Sequence, residues 1–188
     1  MHFWGHLKTV THHRFLVMQG CFRVGLYYQG LTHDLSKFSP TEFREGIKYY
    51  QGTRSPNARE REEKGYSLAW MHHKGRNRHH YEYWTDLSTV TFRYEPVQMP
   101  RRYLVEMVMD RRAACMTYQG KNYTDASPYI YFARSRERLM MHPETERQLC
   151  YLLEMLRDRG ERETFRYMKN SVLQNKPFPW EMNVTEGV

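Results

Sequence analysis

Apolar and polar positions along this chain repeat every three to four residues in several separate windows, and almost nowhere every second residue. His6, Val10, His13, Val17, Cys21 and Val24 fall at such spacings, so residues 6–24 are predicted to form a helix with these side chains on one face. Gly25 ends it, and a short second helix is expected from Leu26 to Lys37. Ser39-Pro40-Thr41-Glu42 then reads as a helix start, with Ser39 as N-cap, Pro40 at the first helical position and Glu42 completing a capping box. That helix runs to about Tyr50. Gly52 to Asn57 is breaker-rich loop, and the charged stretch Ala58 to Lys64, read as a solvated face, leads into a helix over Tyr66 to His73. Gly75 stops this helix and Asn77 is placed to cap another.

Arg101 to Met116 carries Tyr103, Met107, Asp110 and Ala114 on one face. Thr117 to Ser127 reads as a loop in which Tyr118, Lys121 and Tyr123 are candidates to cover a pocket. Ser127-Pro128 restarts a helix to about Met140. Pro143 opens the next, with Leu149, Leu152, Leu153 and Leu156 as its packing stripe and its end near Gly160. A short helix follows from Glu161 to Val172, and only Ser88 to Arg93 has strand character. The fold predicted is all-α: one helical bundle of about six to eight helices over residues 1–172, then a loosely ordered tail over 173–188.

Composition narrows the class. Aromatic residues make up 15% of the 188 residues, enough bulky material to pack a core despite a mean hydropathy of −0.86. Lys and Arg outnumber Asp and Glu by 29 to 21, a net +8, which favours an anionic partner: nucleic acid, nucleotide or another phosphorylated small molecule. The basic residues form no run of five or six, which argues against a nucleic-acid-binding arm. Cys21, Cys115 and Cys150 are far apart with no CxxC spacing, so reduced thiols and no zinc-cysteine site are expected. The first eight residues lack the apolar core of a signal peptide, and no stretch has the length and apolarity of a membrane span; the expectation is a cytoplasmic protein with no membrane partner.

The candidate chemistry centres on His33–Asp34, an imidazole and a carboxylate side by side, both ligands that divalent metals accept. Ten histidines occur in the chain, six of them at 12, 13, 72, 73, 79 and 80. Helical spacing turns His13 inward, where a plain core histidine is the alternative to a ligand. It turns His12 toward Gln19 and Arg23. Two histidine pairs flank a tight basic turn with Lys74, Arg76 and Arg78, a pattern suited to metal plus phosphate; an exposed aromatic turn is the bland alternative. Asp110 sits on an apolar helix face beside Glu106, where a buried carboxylate needs a cation: a metal, or Arg102 or Arg111.

In chain order these residues run His13, His33–Asp34, His73, His79 or His80, Asp110. This order resembles the HD-domain superfamily of metal-dependent phosphohydrolases. The segments HDLSKFSPTEF, YYQGTRSPNAREREEKGYS, HHKGRNRHHYEYW and VEMVMDRRAA further resemble a branch of small uncharacterised bacterial and phage proteins, over residues 1–170. The resemblance implies an HD-like helical bundle and a mono- or dinuclear site for Mn, Fe, Co or Mg. Its ligands would be His13, His33, Asp34, His73, His79, His80 and Asp110, with Asp34 bridging. It implies that Asp34, Lys37, His79 and His80 stand at the reacting centre, and that Lys37 contacts phosphate; Arg54, Arg76 and Arg78 are further candidates for the phosphate oxygens. The His13-to-His33 connection is shorter than in most HD proteins, and each histidine pair leaves its ligand open. The expected activity is hydrolysis of a nucleotide or related phosphoester. The competing readings are an HD-like di-iron oxygenase and a nonenzymatic binder of nucleic acid or a phosphorylated ligand.

Overall fold

The computed structural model describes residues 2–182, and they form an all-α helical bundle with one short hairpin. Helix α1 (Phe3–Val24) buries the stripe read from the sequence, His6, Val10, His13, Val17, Cys21 and Val24, together with Leu16 and Gly20. It stops at Gly25, whose φ of 88° is one that glycine adopts without strain, and Gly25 and Leu26 N–H groups close the last carbonyls at Phe22 and Cys21. The expected second helix breaks early. Helix α2 (Tyr27–Thr32) ends before His33, Asp34 takes a left-handed φ of 54°, and Leu35–Phe38 is a 3-10 turn.

Helix α3 (Pro40–Lys48) has the predicted cap, Ser39 Oγ accepting from Glu42 N–H at 3.4 Å. Helix α4 (Pro56–Lys64) covers the charged stretch, which is not wholly a solvated face: Glu60 is buried, accepting from Ser67 Oγ at 2.6 Å and Lys64 Nζ at 3.1 Å. Helix α5 (Leu68–Lys74) is capped by Ser67. No helix follows Asn77 until Arg101, apart from a 3-10 turn at Tyr81–Tyr83. The strand expected at 88–93 is instead the connection between β1 (Thr85–Leu87) and β2 (Tyr94–Pro96), antiparallel with Asp86 opposite Glu95.

Helix α6 (Arg101–Gln119) is the central element. Leu104, Val105, Val108 and Met109 are fully buried on it, packed with α1 and α8. Gly20 lets α1 approach, because a Cβ there would meet Met109 Sδ at 2.7 Å. Helix α7 (Ser127–Ala133) is shorter than expected and contributes Phe132. Helix α8 (Pro143–Tyr167) contributes Leu149, Leu152, Leu153 and Leu156, all inaccessible to solvent. At about 1.5–3 kcal/mol per buried large apolar side chain, this seam dominates the stability. Gly160, at φ 73° and ψ 176°, kinks α8 rather than ending it, and a π-helical turn follows at Met168–Val172. Residues 173–182 differ from the loose tail expected there. Phe178 is fully buried, stacked on Trp180 at 4.8 Å, and Arg101 pairs with Glu181 at 3.0 Å beside the four-residue α9 (Pro179–Met182). The rest of that expected tail, 183–188, lies outside the described residues.

Candidate metal centre

The break at His33–Asp34 is held in place by the neighbour of His13. Arg14 Nε donates to His33 O at 2.7 Å and Arg14 Nη2 to Leu31 O at 3.1 Å, fixing the chain where it leaves α2. A non-glycine residue at positive φ is uncommon, and Asp is among the side chains that tolerate it best. The conformation turns the Asp34 carboxylate inward, where it is 1% exposed.

Around that carboxylate the chain gathers histidines from three directions. On one side Asp34 Oδ2 faces His33 Nε2 at 3.6 Å and His13 Nε2 at 3.7 Å. Asp110, one turn beyond Glu106 on α6, closes this side: its Oδ1 is 3.0 Å from His13 Nε2 and 3.5 Å from His33 Nε2. On the other side Asp34 Oδ1 faces His73 Nε2 at 3.3 Å and His79 Nε2 at 3.4 Å, with His80 packed over both rings. Two four-residue groups result, His13/His33/Asp34/Asp110 and Asp34/His73/His79/His80, each offering ligand atoms within 4.8 Å of one another. Asp34 belongs to both.

The outward nitrogens of these rings meet carboxylates. Glu106 Oε1 accepts from His33 Nδ1 at 2.9 Å and lies 3.1 Å from His79 Nδ1, while Glu42 Oε2 accepts from His73 Nδ1 at 2.7 Å. Once neutral, a ring that donates through Nδ1 keeps its Nε2 lone pair free and aimed, the arrangement by which metal-binding histidines are fixed. Asn77 adds to it, its Nδ2 donating to His73 O and to Ser36 Oγ, both at 2.8 Å. Among the described residues, His33 Nε2, His79 Nε2, His80 Nε2 and Asp34 Oδ1 are buried with no hydrogen-bond partner. Unsatisfied buried groups are costly, and the Nε2 atoms of His33 and His79 both face Asp34, an arrangement that fits a cation.

Electrostatics follow from the crowding. Burial opposes ionisation of Asp34, but His33, Lys37 and His73 outweigh it and hold the carboxyl well below its ordinary range; His13 and His33 do the same for Asp110. His79 loses to burial and gains more from Asp34 and Glu106, which push it up to about 10; His33 also moves upward against burial. Burial keeps His13 and His80 below the usual imidazole range.

A family model matches residues 2–155, a span that contains every one of these candidate ligands. The chain belongs to this Family of unknown function (DUF5662). No curated protein and no solved structure matches the chain. The DUF5662 span runs from α1 into α8, so it includes the helices that position the cluster.

All the residues expected to ligate a metal come together: His13, His33, Asp34, His73, His79, His80 and Asp110. Within the ambiguous pairs, His13 turns in while His12 is exposed, and His73 turns in while His72 Nδ1 is spent on Glu42 Oε1 at 2.6 Å. His79 and His80 both face the cluster. Asp110 pairs with His13, not with Arg102 or Arg111. Lys37 reaches the site, its Nζ 3.3 Å from Asp34 Oδ2. The three arginines expected to hold phosphate have partners outside the ligand set. Arg54 forms a two-pronged pair with Glu62 on the surface, Arg76 donates to His72 O, and Arg78 donates to Tyr103 Oη at 3.1 Å. Asn77 braces His73 instead of capping a helix. Two contributors were missed. Glu42 was assigned wholly to the helix cap, and Glu106 was noted only as a neighbour of Asp110; its four-residue spacing from Asp110 on a buried face was the available signal.

Proposed function

We propose that this protein is a metal-dependent phosphohydrolase that acts on a nucleotide or related phosphoester, with one or two divalent ions held by His13, His33, Asp34, His73, His79, His80 and Asp110. One observation carries the reading: the two oxygens of Asp34 face two separate ligand sets, and the unpartnered Nε2 atoms of His33 and His79 both face that carboxylate. Five imidazoles against two carboxylates favour a transition metal over magnesium. When bound, such ions lower the pKa of a coordinated water and neutralise charge developing on phosphoryl oxygens.

The chain supplies the rest. Asp34 anchors both ligand sets, Glu106 and Glu42 fix the ring orientations, and Lys37 places an ammonium beside Asp34 to hold a phosphoryl oxygen. In the net reaction a water oxygen bonds to phosphorus, the ester P–O bond breaks with its electron pair on the leaving oxygen, and that oxygen takes the proton released by water. The order of the ligands along the chain, similar to that of HD-domain phosphohydrolases, supports the same assignment.

The test is phosphate release from a panel of nucleotides by protein loaded in turn with Mn, Co, Fe or Mg, beside Asp34→Ala. Turnover abolished by the substitution is expected. Metal uptake without turnover on any ester would sink the reaction. The nitrogen-rich ligand set also suits iron, so oxygen uptake by the iron-loaded protein is the readout of the oxygenase alternative.

A further inference from the structure

A second feature lies against the cluster. Lys37 extends from beside Asp34 into a cleft that it lines with His6, Glu42, Ser55, Asn57 and Tyr118. The cleft therefore borders the cluster through Lys37 at Asp34 and through Glu42 at His73.

The polar groups around it are free in an unusual way. Tyr118 Oη, Ser55 Oγ, the Asn57 amide and the His6 ring form no hydrogen bond among the described residues. Glu42, the one carboxylate in the lining, is already committed through both oxygens to His72 and His73. The ammonium of Lys37 is thus the cation of the lining, 3.3 Å from Asp34 Oδ2 on one side and facing neutral donors in the cleft on the other. Burial, and then Lys37, lower His6 to about 4, so it adds no charge near neutrality. Burial also holds the Tyr118 phenol above its ordinary range against the pull of Lys37, which keeps it a donor. The His6 position depends on Gly46, where a Cβ would come within 2.1 Å of His6 Nε2.

Size restricts what enters. The cleft volume is about 50 Å³, far below the ~300 Å³ at which pockets for drug-sized ligands begin. A handful of oxygens fits; a nucleoside does not.

Resting on the phosphohydrolase reading, we infer that this cleft is the subsite for the terminal phosphoryl group of a phosphate monoester, with Tyr118 Oη donating to a non-bridging oxygen beside Lys37. The organic part of the substrate stays outside, and a diester, with a second substituent on phosphorus, has no room for it. Tyr118 is a substrate-positioning residue.

The experiment begins with manganese-loaded protein whose metal content has been measured, and titrates it calorimetrically with inorganic phosphate. Tyr118→Phe keeps the ring and removes only the hydroxyl. It should retain metal content and melting temperature while binding phosphate about tenfold more weakly, the scale of one hydrogen bond to a charged group. The KM for p-nitrophenyl phosphate should rise by a similar factor with kcat changed less, and bis(p-nitrophenyl) phosphate should be a poor substrate. Ser55→Ala, at the rim, should show a smaller loss of the same kind. Unchanged phosphate affinity in metal-replete Tyr118→Phe overturns the inference, as does equal turnover of the diester. Phosphate bound with the expected Tyr118 dependence, but no ester hydrolysed, supports the subsite and refutes the reaction instead.

Discussion

The two ligand sets that meet at Asp34 are built in opposite ways. His13, His33 and Asp110 come from three helical elements, α1, the end of α2 and the distant α6, of which α1 and α6 pack into the hydrophobic core. His73, His79 and His80 come from the end of α5 and the irregular segment after it, within eight residues of one another. Helix packing places His13 and Asp110 of the first set, with Glu106 and Arg14 bracing only His33, whereas hydrogen bonds carry most of the second: Glu42 and Asn77 on His73, Glu106 on His79. The first also has two carboxylates where the second has one. A site framed by rigid helices keeps its geometry when one neighbour is lost, whereas one framed by side chains depends on each of them.

Single-ligand substitutions test that division most strongly. Asp34→Asn preserves the side chain's size and its tolerance of positive φ but removes the charge common to both sets. It should abolish tight binding of both ions. His80→Ala should remove one ion and leave the other, and Asp110→Ala should do the reverse; metal content per chain by elemental analysis reads all three. Loss of both ions in His80→Ala with the fold intact would show that the sets are not separable.

The carboxylates behind the histidines give a smaller effect with a sharper contrast. Glu106 serves one histidine of each set, Glu42 only His73. Glu106→Gln should weaken both ions by about 10–100-fold, the range for such supporting groups. Glu42→Gln should weaken one ion and spare the other. Competition with a chelator of known affinity measures each, and equal weakening of both ions by Glu42→Gln would refute the assignment.

How much of this was legible in the sequence divides along the same line. The helical period of α1 put His13 on the buried face, and the spacing on α6 put Asp110 there, because helix periodicity is a local property. The reach of Glu42 was not local. Ser-x-x-Glu located the α3 start correctly, yet its carboxylate turns to His72 and His73, some thirty residues on, and no pattern around residue 42 reveals that. The break at Asp34 was hidden for the same reason, since Arg14 of α1 pins the carbonyls that shape it. Nor does Phe178 announce its burial: α9 is too short for a period, and Tyr151, Tyr167 and Trp180 receive it through aromatic contacts. Charge made Arg54, Arg76 and Arg78 candidates for phosphate, but charge does not reveal the partners they have here, Glu62, His72 O and Tyr103 Oη.

Acidity distinguishes ion-bound from ion-free protein and gives the smallest of the expected effects. Without an ion, Asp34 and Glu106 raise His79 to about 10 against burial, so that ring carries a proton near neutrality, and His33 moves in the same direction. Ligation requires their neutral Nε2, so uptake must release protons and strengthen as pH rises from neutrality. The sign for ion-free stability is opposite. A histidine whose pKa is raised on folding stabilises fully below its unfolded value, near 6.5, and that stabilisation fades as pH climbs toward the folded value. The chelator-treated protein should therefore lose melting temperature between about pH 6.5 and 10, while the ion-loaded protein, its histidines already neutral, should lose less over the same window. Because His79 shares Glu106 with His33, Glu106→Gln should flatten the ion-free slope by removing one of the acceptors that hold those protons. A melting curve series with the same slope in loaded and stripped protein would mean that the protons at His33 and His79 are not what the ion displaces.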